Sequence, residues 1–152
     1  MNPLVTDIGR PFTRGERVDI ENSKMNLLID SNCPMEVLLL DVAPDGSSEI
    51  IGINPNGPYF LEKHGPAVKI ELDLESLHKD HKLILAVYAK HGVCGDILLT
   101  LDKPRGHIAL NTDDSAGVVL AEIYTRNDSW RMKAYGGTYK EGLPAILSAY
   151  ES

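Results

Sequence analysis

Ala67-Val68-Lys69-Ile70-Glu71-Leu72-Asp73-Leu74 alternates without a break. Successive side chains of an extended strand point to opposite faces, so Val68, Ile70, Leu72 and Leu74 share an apolar face and Lys69, Glu71 and Asp73 a wet one. Eight residues on, Lys82-Leu83-Ile84-Leu85-Ala86-Val87-Tyr88-Ala89 is apolar on both faces over a strand-like length. That pattern predicts a central strand covered on both sides, by a second sheet and by a loop or helix. Met35–Val42 has the same character, interrupted by Glu36.

Further strands are expected at Arg17–Ile20, Met25–Asp30, Ser48–Ile53, Asp96–Asp102, His107–Asn111, Val118–Thr125 and Trp130–Tyr135. Many short strands with frequent turn signals indicate an all-β, two-sheet sandwich. Pro44-Asp45-Gly46-Ser47 can reverse the chain tightly, and Lys103-Pro104-Arg105-Gly106 joins two strands. The stretch from Asn54 to Pro66 opens with Asn54-Pro55-Asn56-Gly57-Pro58, whose prolines cannot donate to a ladder, and it is expected to be a long surface loop. Leu74–His78 can add a helical turn. Gly136-Gly137 reads as a flexible corner rather than a phosphate loop. One short C-terminal helix is expected from Gly142 to Tyr150, with Leu143, Ile146, Leu147 and Tyr150 on one side and Pro144 in the first turn.

A chain of 152 residues, 43% hydrophobic, can bury one ordinary core but not two, so residues 1–152 are expected to form one domain. No apolar run approaches the roughly 20 residues that span a bilayer, and the first residues lack a basic segment followed by an apolar one. A cytoplasmic protein without membrane insertion is expected. The net charge of -7 opposes attraction to nucleic-acid phosphates. Arg126, Arg131, Lys133 and Lys140 are interleaved with Asp128 and Glu141, which suits a solvated strand face.

The chain-terminal order of residues carries a resemblance. Ala121-Glu122-Ile123-Tyr124-Thr125-Arg126 leads through Asn127-Asp128 into Ser129-Trp130-Arg131-Met132-Lys133-Ala134-Tyr135, then Gly136-Gly137 and Glu141-Gly142-Leu143-Pro144-Ala145-Ile146-Leu147. This resembles the C-terminal end of the TerD-type tellurium-resistance and bacterial stress-protein family. Arg14-Gly15-Glu16-Arg17-Val18 is similar to that family's opening, and Val68–Leu77, Lys82–Tyr88 and Asp102–Glu122 to its middle. The resemblance implies a two-sheet sandwich that acts without catalysis, with other stress-system proteins or a second copy of the fold as partner.

It also implies two calcium sites, from an Asp-Leu-Asp motif and an acidic Gly-Asp-Asp-Glu motif. Here those slots fall on Asn32-Cys33-Pro34 and on Lys63-His64-Gly65-Pro66, and a shift of one residue adds only Asp30 or Glu62. Calcium takes 6–8 oxygen ligands, so no cofactor is expected and calcium binding should be weak at most. Asn111, Asp113 and Asp114 are a weaker ion candidate, read first as a turn. His78 and His81, flanked by lysines, read as a solvated turn.

The nucleophile and nucleotide-loop motifs of common enzymes are missing from the sequence, so no catalytic residue is assigned. Trp130 alternates with Met132 and Ala134 and is expected to be buried. Asn54, Asn56, Tyr59, Tyr135 and Tyr139 are the candidate ligand or partner surface, which keeps a small-molecule-binding module open as the alternative. A hydrolase with an unrecognised carboxylate site ranks last. Cys33 and Cys94 lie 61 positions apart and read as two separate packed thiols, with a disulfide or a reactive thiol site as the other reading.

Overall fold

The computed structural model describes residues 9–20, 24–50, 59–64, 67–77, 79–102, 105–112 and 114–150, with the backbone alone for 59–64, 135 and 136. Among them, β1 (Arg10–Pro11), β2 (Arg17–Asp19), β3 (Lys24–Ser31), β4 (Glu36–Val42), β5 (Ser48–Ile50) and β6 (Tyr59–His64) precede β7 (Ala67–Asp73). A 3₁₀ turn at Leu74–Ser76 follows, then β8 (Lys82–Tyr88), β9 (Gly95–Asp102), β10 (Arg105–Thr112), β11 (Gly117–Arg126), β12 (Ser129–Tyr139) and α1 (Leu143–Ala149). The strands form two six-stranded sheets, ordered β1-β10-β9-β3-β7-β6 and β2-β12-β11-β8-β4-β5. β1 runs parallel to β10, and every other pairing is antiparallel. The expected all-β sandwich with a short C-terminal helix is what the chain forms.

Alternation decides the first sheet. Met25, Leu27 and Ile29 of β3, Val68, Ile70 and Leu72 of β7, and Ile97, Leu99 and Leu101 of β9 are all buried toward the second sheet. Their intervening residues face outward, so this sheet has one wet side, as Lys69-Ile70-Glu71 foretells. The second sheet is covered on both. Leu83, Leu85 and Val87 of β8 join the core between the sheets. Ile84 and Ala86 belong to a separate cluster on the opposite side with Leu38, Leu40, Val119 and Ile146 of α1. The helix is therefore the cover that the doubly apolar β8 requires.

β11 keeps both faces apolar by an irregular step. Val119 opposes Ala86 and Ala121 opposes Leu85, so Leu120 is one residue extra relative to β8. Such a bulge resets the alternation, and Leu120 and Ala121 both enter the inter-sheet core while Val119 faces the helix. On the other flank Val119 opposes Gly137 and Ala121 opposes Ala134. Gly136-Gly137 is thus part of β12, which runs on to Tyr139, and not the corner that its glycines suggest.

The turns follow their chemistry. Ser47 N donates to Asp45 Oδ1 at 2.9 Å and Ala43 N to Ser47 O at 2.8 Å, closing the β4–β5 reversal with Gly46 at φ 91°. Asn127 and Asp128, at φ 53° and 65°, form the two-residue β11–β12 turn.

Two strands lie where none is expected. β6 occupies Tyr59–His64, inside the predicted loop, and pairs with β7 from Tyr59 opposite Leu72 to His64 opposite Ala67. Tyr-Phe-Leu-Glu-Lys-His does not alternate, so its ladder comes from the partner strand rather than from its own period. β1 is two residues long and includes a proline at the sheet edge, where a missing N–H is tolerated. Trp130 is half-buried rather than buried, because it lies near the start of β12, although Met132 and Ala134 are enclosed.

Near β1, Arg10 pairs with Glu16, its Nη1 donating to Oε1 at 3.1 Å and its Nη2 to Oε2, while Thr13 N donates to Oε1 at 3.0 Å. The Arg10 guanidinium, followed by the Thr13 amide, pulls the Glu16 carboxyl down from about 4.5 to about 2. A depressed folded-state value means stability that is present above the ordinary carboxyl range and lost as pH falls toward the folded value. Glu16→Gln should therefore flatten the fall in melting temperature between pH 4.5 and about 2, followed by circular dichroism. Parallel curves for the two proteins over that window would contradict the pairing.

Candidate functional site

On the wet side of the first sheet, β3, β9 and β10 end together. Their outward residues include Asp30 on β3, Asp96 and Leu98 on β9, and Ala109 and Asn111 on β10, with Asn32 just past β3. Asp30 and Ala109 both oppose Leu98, and Asn111 opposes Asp96. These six residues line an open groove of about 660 Å³ with Leu98 and Ala109 on its floor and polar groups around it.

The polar rim is tied together. The Asp96 carboxylate accepts from Asn111 Nδ2 at 2.6 Å and from Asn32 Nδ2 at 3.3 Å. Asn32 Oδ1 accepts from Asp96 N at 2.8 Å, and Asn32 N donates to Asp96 O at 3.3 Å. The end of β3 is thereby clamped to the start of β9 by backbone and side chain together. A carboxylate held by two amides is pre-oriented, and its remaining lone pairs face solvent to accept from a ligand N–H.

Directly beneath the rim are the two cysteines. Ser31 Oγ donates to Cys94 O at 2.9 Å and accepts from Cys33 N at 3.1 Å, so one buried hydroxyl holds both cysteine segments. Gly95 stands between them at φ 73°, in the left-handed region that glycine favours. A Cβ at that position would come within 2.6 Å of Cys33 Sγ and closer still to Asn32 Oδ1. Cys94 is fully buried, and burial, with a smaller contribution from the Cys33 thiol, pushes its thiol pKa up.

The residues singled out from the sequence are spread more widely. Asn54 and Asn56 lie outside the described residues. Tyr59 begins β6 at the edge of the first sheet, whereas Tyr135 and Tyr139 belong to β12 of the second. Tyr139 is half-buried and packs against the cluster under α1. Of the ion candidates, Asn111 turns its amide to Asp96, Asp113 lies outside the described residues, and exposed Asp114 accepts from Ser115 Oγ at 3.1 Å.

The side chains of the groove offer two carboxylates and two amides, with both amide NH₂ groups turned on Asp96. Among the described residues no group of three or more His, Cys, Asp or Glu is placed to hold a metal. His78 lies outside the described residues, while half-buried His81 sets Nδ1 2.6 Å from Asp41 Oδ1 and is thus engaged by a carboxylate rather than merely solvated. The cleft there, lined also by Trp130, measures about 10 Å³ and has room for about one water.

Asp96 is the residue that sequence reasoning missed. Its signal was present, since Asp96-Ile97-Leu98-Leu99-Thr100-Leu101-Asp102 places it on the face away from Ile97, Leu99 and Leu101. What no local pattern could supply was its partner 64 positions earlier. Compared with known protein families and with curated proteins, the chain matches none. Among the described residues no helix is long and apolar enough to cross a membrane.

Proposed function

We propose that this protein is a non-catalytic, metal-independent recognition module of a TerD-like stress or tellurium-resistance system, and that it recognises a partner protein through the groove over Leu98 and Ala109. The observation that carries the reading is the Asp96 carboxylate fixed by Asn32 and Asn111 beside an apolar floor, with Asp30 adding a second negative charge. Charge complementarity selects the occupant. A basic segment with apolar side chains pairs its cations with Asp30 and Asp96 and lays its apolar groups on Leu98 and Ala109. The sequence likeness supplies the biological setting, and it is the weaker support because a fold hosts many functions.

A short alternating lysine–leucine peptide is the probe. At low ionic strength it should bind saturably to EDTA-stripped protein in calorimetry, and the Asp30→Asn/Asp96→Asn double variant should weaken that binding about tenfold or more. Glu75→Gln, on the 3₁₀ turn, should leave it unchanged. Equal binding by all three proteins would remove the groove from the reading. In the same apparatus calcium should neither bind nor raise the melting temperature, and a saturable shift would overturn the metal-independent reading in favour of an ion-dependent one.

A further inference from the structure

The two cysteines of this chain stand 61 positions apart in sequence, yet the pairing of β3 with β9 brings them to one corner. Ser31 opposes Ile97 at the end of that ladder, and Asn32 continues it by donating its N–H to Asp96 O. Cys33 therefore arrives opposite Gly95, the neighbour of Cys94. Its sulfur rests on the Gly95 Cα, since a Cβ built there would meet Cys33 Sγ at 2.6 Å. Adding covalent geometry places Cys33 Sγ within roughly 8 Å of the Cys94 Cα. The missing side chain at position 95 is what leaves space for that sulfur.

The corner is also held in register. Ser31 Oγ bridges Cys94 O and Cys33 N, and the Asn32–Asp96 clamp closes the same two segments one residue further along. The two thiols differ in access. Cys94 is 0% exposed, whereas Cys33 is half-buried and reachable from solvent. Both are free thiols in this structure.

We propose that Cys33 and Cys94 are a thiol pair that closes to an intramolecular disulfide by exchange with a low-molecular-weight disulfide. The accessible Cys33, as thiolate, attacks one sulfur of the small disulfide, forming a mixed disulfide and expelling one small thiolate that takes up the proton Cys33 lost. Cys94 then loses its proton and attacks the Cys33 sulfur, breaking the mixed disulfide and expelling the second small thiolate, which is protonated in turn. Two protein thiols are oxidised and one small disulfide is reduced to two thiols, so electrons and protons balance. Burial keeps Cys94 from meeting the small disulfide first and disfavours its thiolate, so it reacts second, with the Cys33 sulfur that the β3–β9 register holds at the same corner.

The test uses the full chain and oxidised glutathione. Incubation followed by thiol counting under denaturing conditions should show two free thiols falling to none, in a monomer whose mass has dropped by two hydrogens and carries no glutathione. Cys94→Ser should stop at the glutathione adduct on Cys33. Cys33→Ser should slow the loss of the remaining thiol about tenfold or more, since Cys94 is enclosed. Persistence of both thiols, a separate adduct on each cysteine, or a disulfide between two chains would overturn the pairing. Because the decisive count is made on the unaltered chain, a variant that folds poorly leaves the answer intact.

Discussion

Gly95→Ala is expected to lower the stability of this protein by about 2–5 kcal/mol, measured as a shift in the urea midpoint at unchanged slope. Two separate costs meet at the position. The backbone stands at φ 73°, where a Cβ crowds the carbonyl oxygen and costs about 1–2 kcal/mol. The new methyl also falls 2.6 Å from Cys33 Sγ and on the Asn32 amide oxygen, and crowding of a packed site adds about 1–3 kcal/mol. Retracting Asn32 relieves the contact only by giving up its bond to Asp96 N, at 2.8 Å. Asn32→Ala removes that bond together with the one from Asn32 Nδ2 to the Asp96 carboxylate and should cost only about 1 kcal/mol, because the backbone stays unstrained. A Gly95→Ala midpoint indistinguishable from the parent would mean that the β3–β9 corner is not built as described.

A comparable loss, about 2–5 kcal/mol, is expected for Ile146→Ala. Ile146 is the fully buried residue of α1, 0% exposed, and it seats against Gly117, where a Cβ would lie 2.8 Å from its Cδ1. The helix is seven residues long, and an isolated helix of that length does not persist in water. Its order therefore depends on this docking. The variant should lose amide-exchange protection in Leu143–Ala149 first, while β3, β7 and β9, whose buried residues pack between the sheets, keep theirs. A cost under about 1 kcal/mol would show that Leu143, Leu147 and Tyr150 hold the helix without it.

The strands that were legible in the sequence are those whose burial has a period of its own. Val68, Ile70 and Leu72 announce β7, and the doubly apolar Leu83–Val87 announces both a second sheet and a cover for it. β6 was hidden because Tyr59–His64 takes its order from β7, and β12 was cut short because Gly136-Gly137 look like a break, whereas Gly136 falls within the bulge and Gly137 is paired with Val119. The same limit explains the site. Asn32, Asp30 and Asn111 each drew notice as separate ion-ligand candidates, yet while Asn111 reaches Asp96 through the β9–β10 hairpin, Asp30 and Asn32 join them only by a register between segments more than 60 residues apart. The cysteines, read as separate thiols, met through that same register.

The two sheets differ in how much of their surface folding has already claimed. In the second, the run from Leu83 to Val87 answers to neighbours above and below, so almost any change there must satisfy two packings at once. The outer side of the first sheet answers to none of the core. Residues such as Leu28, Leu98, Thr100 and Ala109 can be exchanged there while the sandwich stands, which makes that side a place where evolution, or an engineer, can rewrite what the protein recognises without first having to refold it.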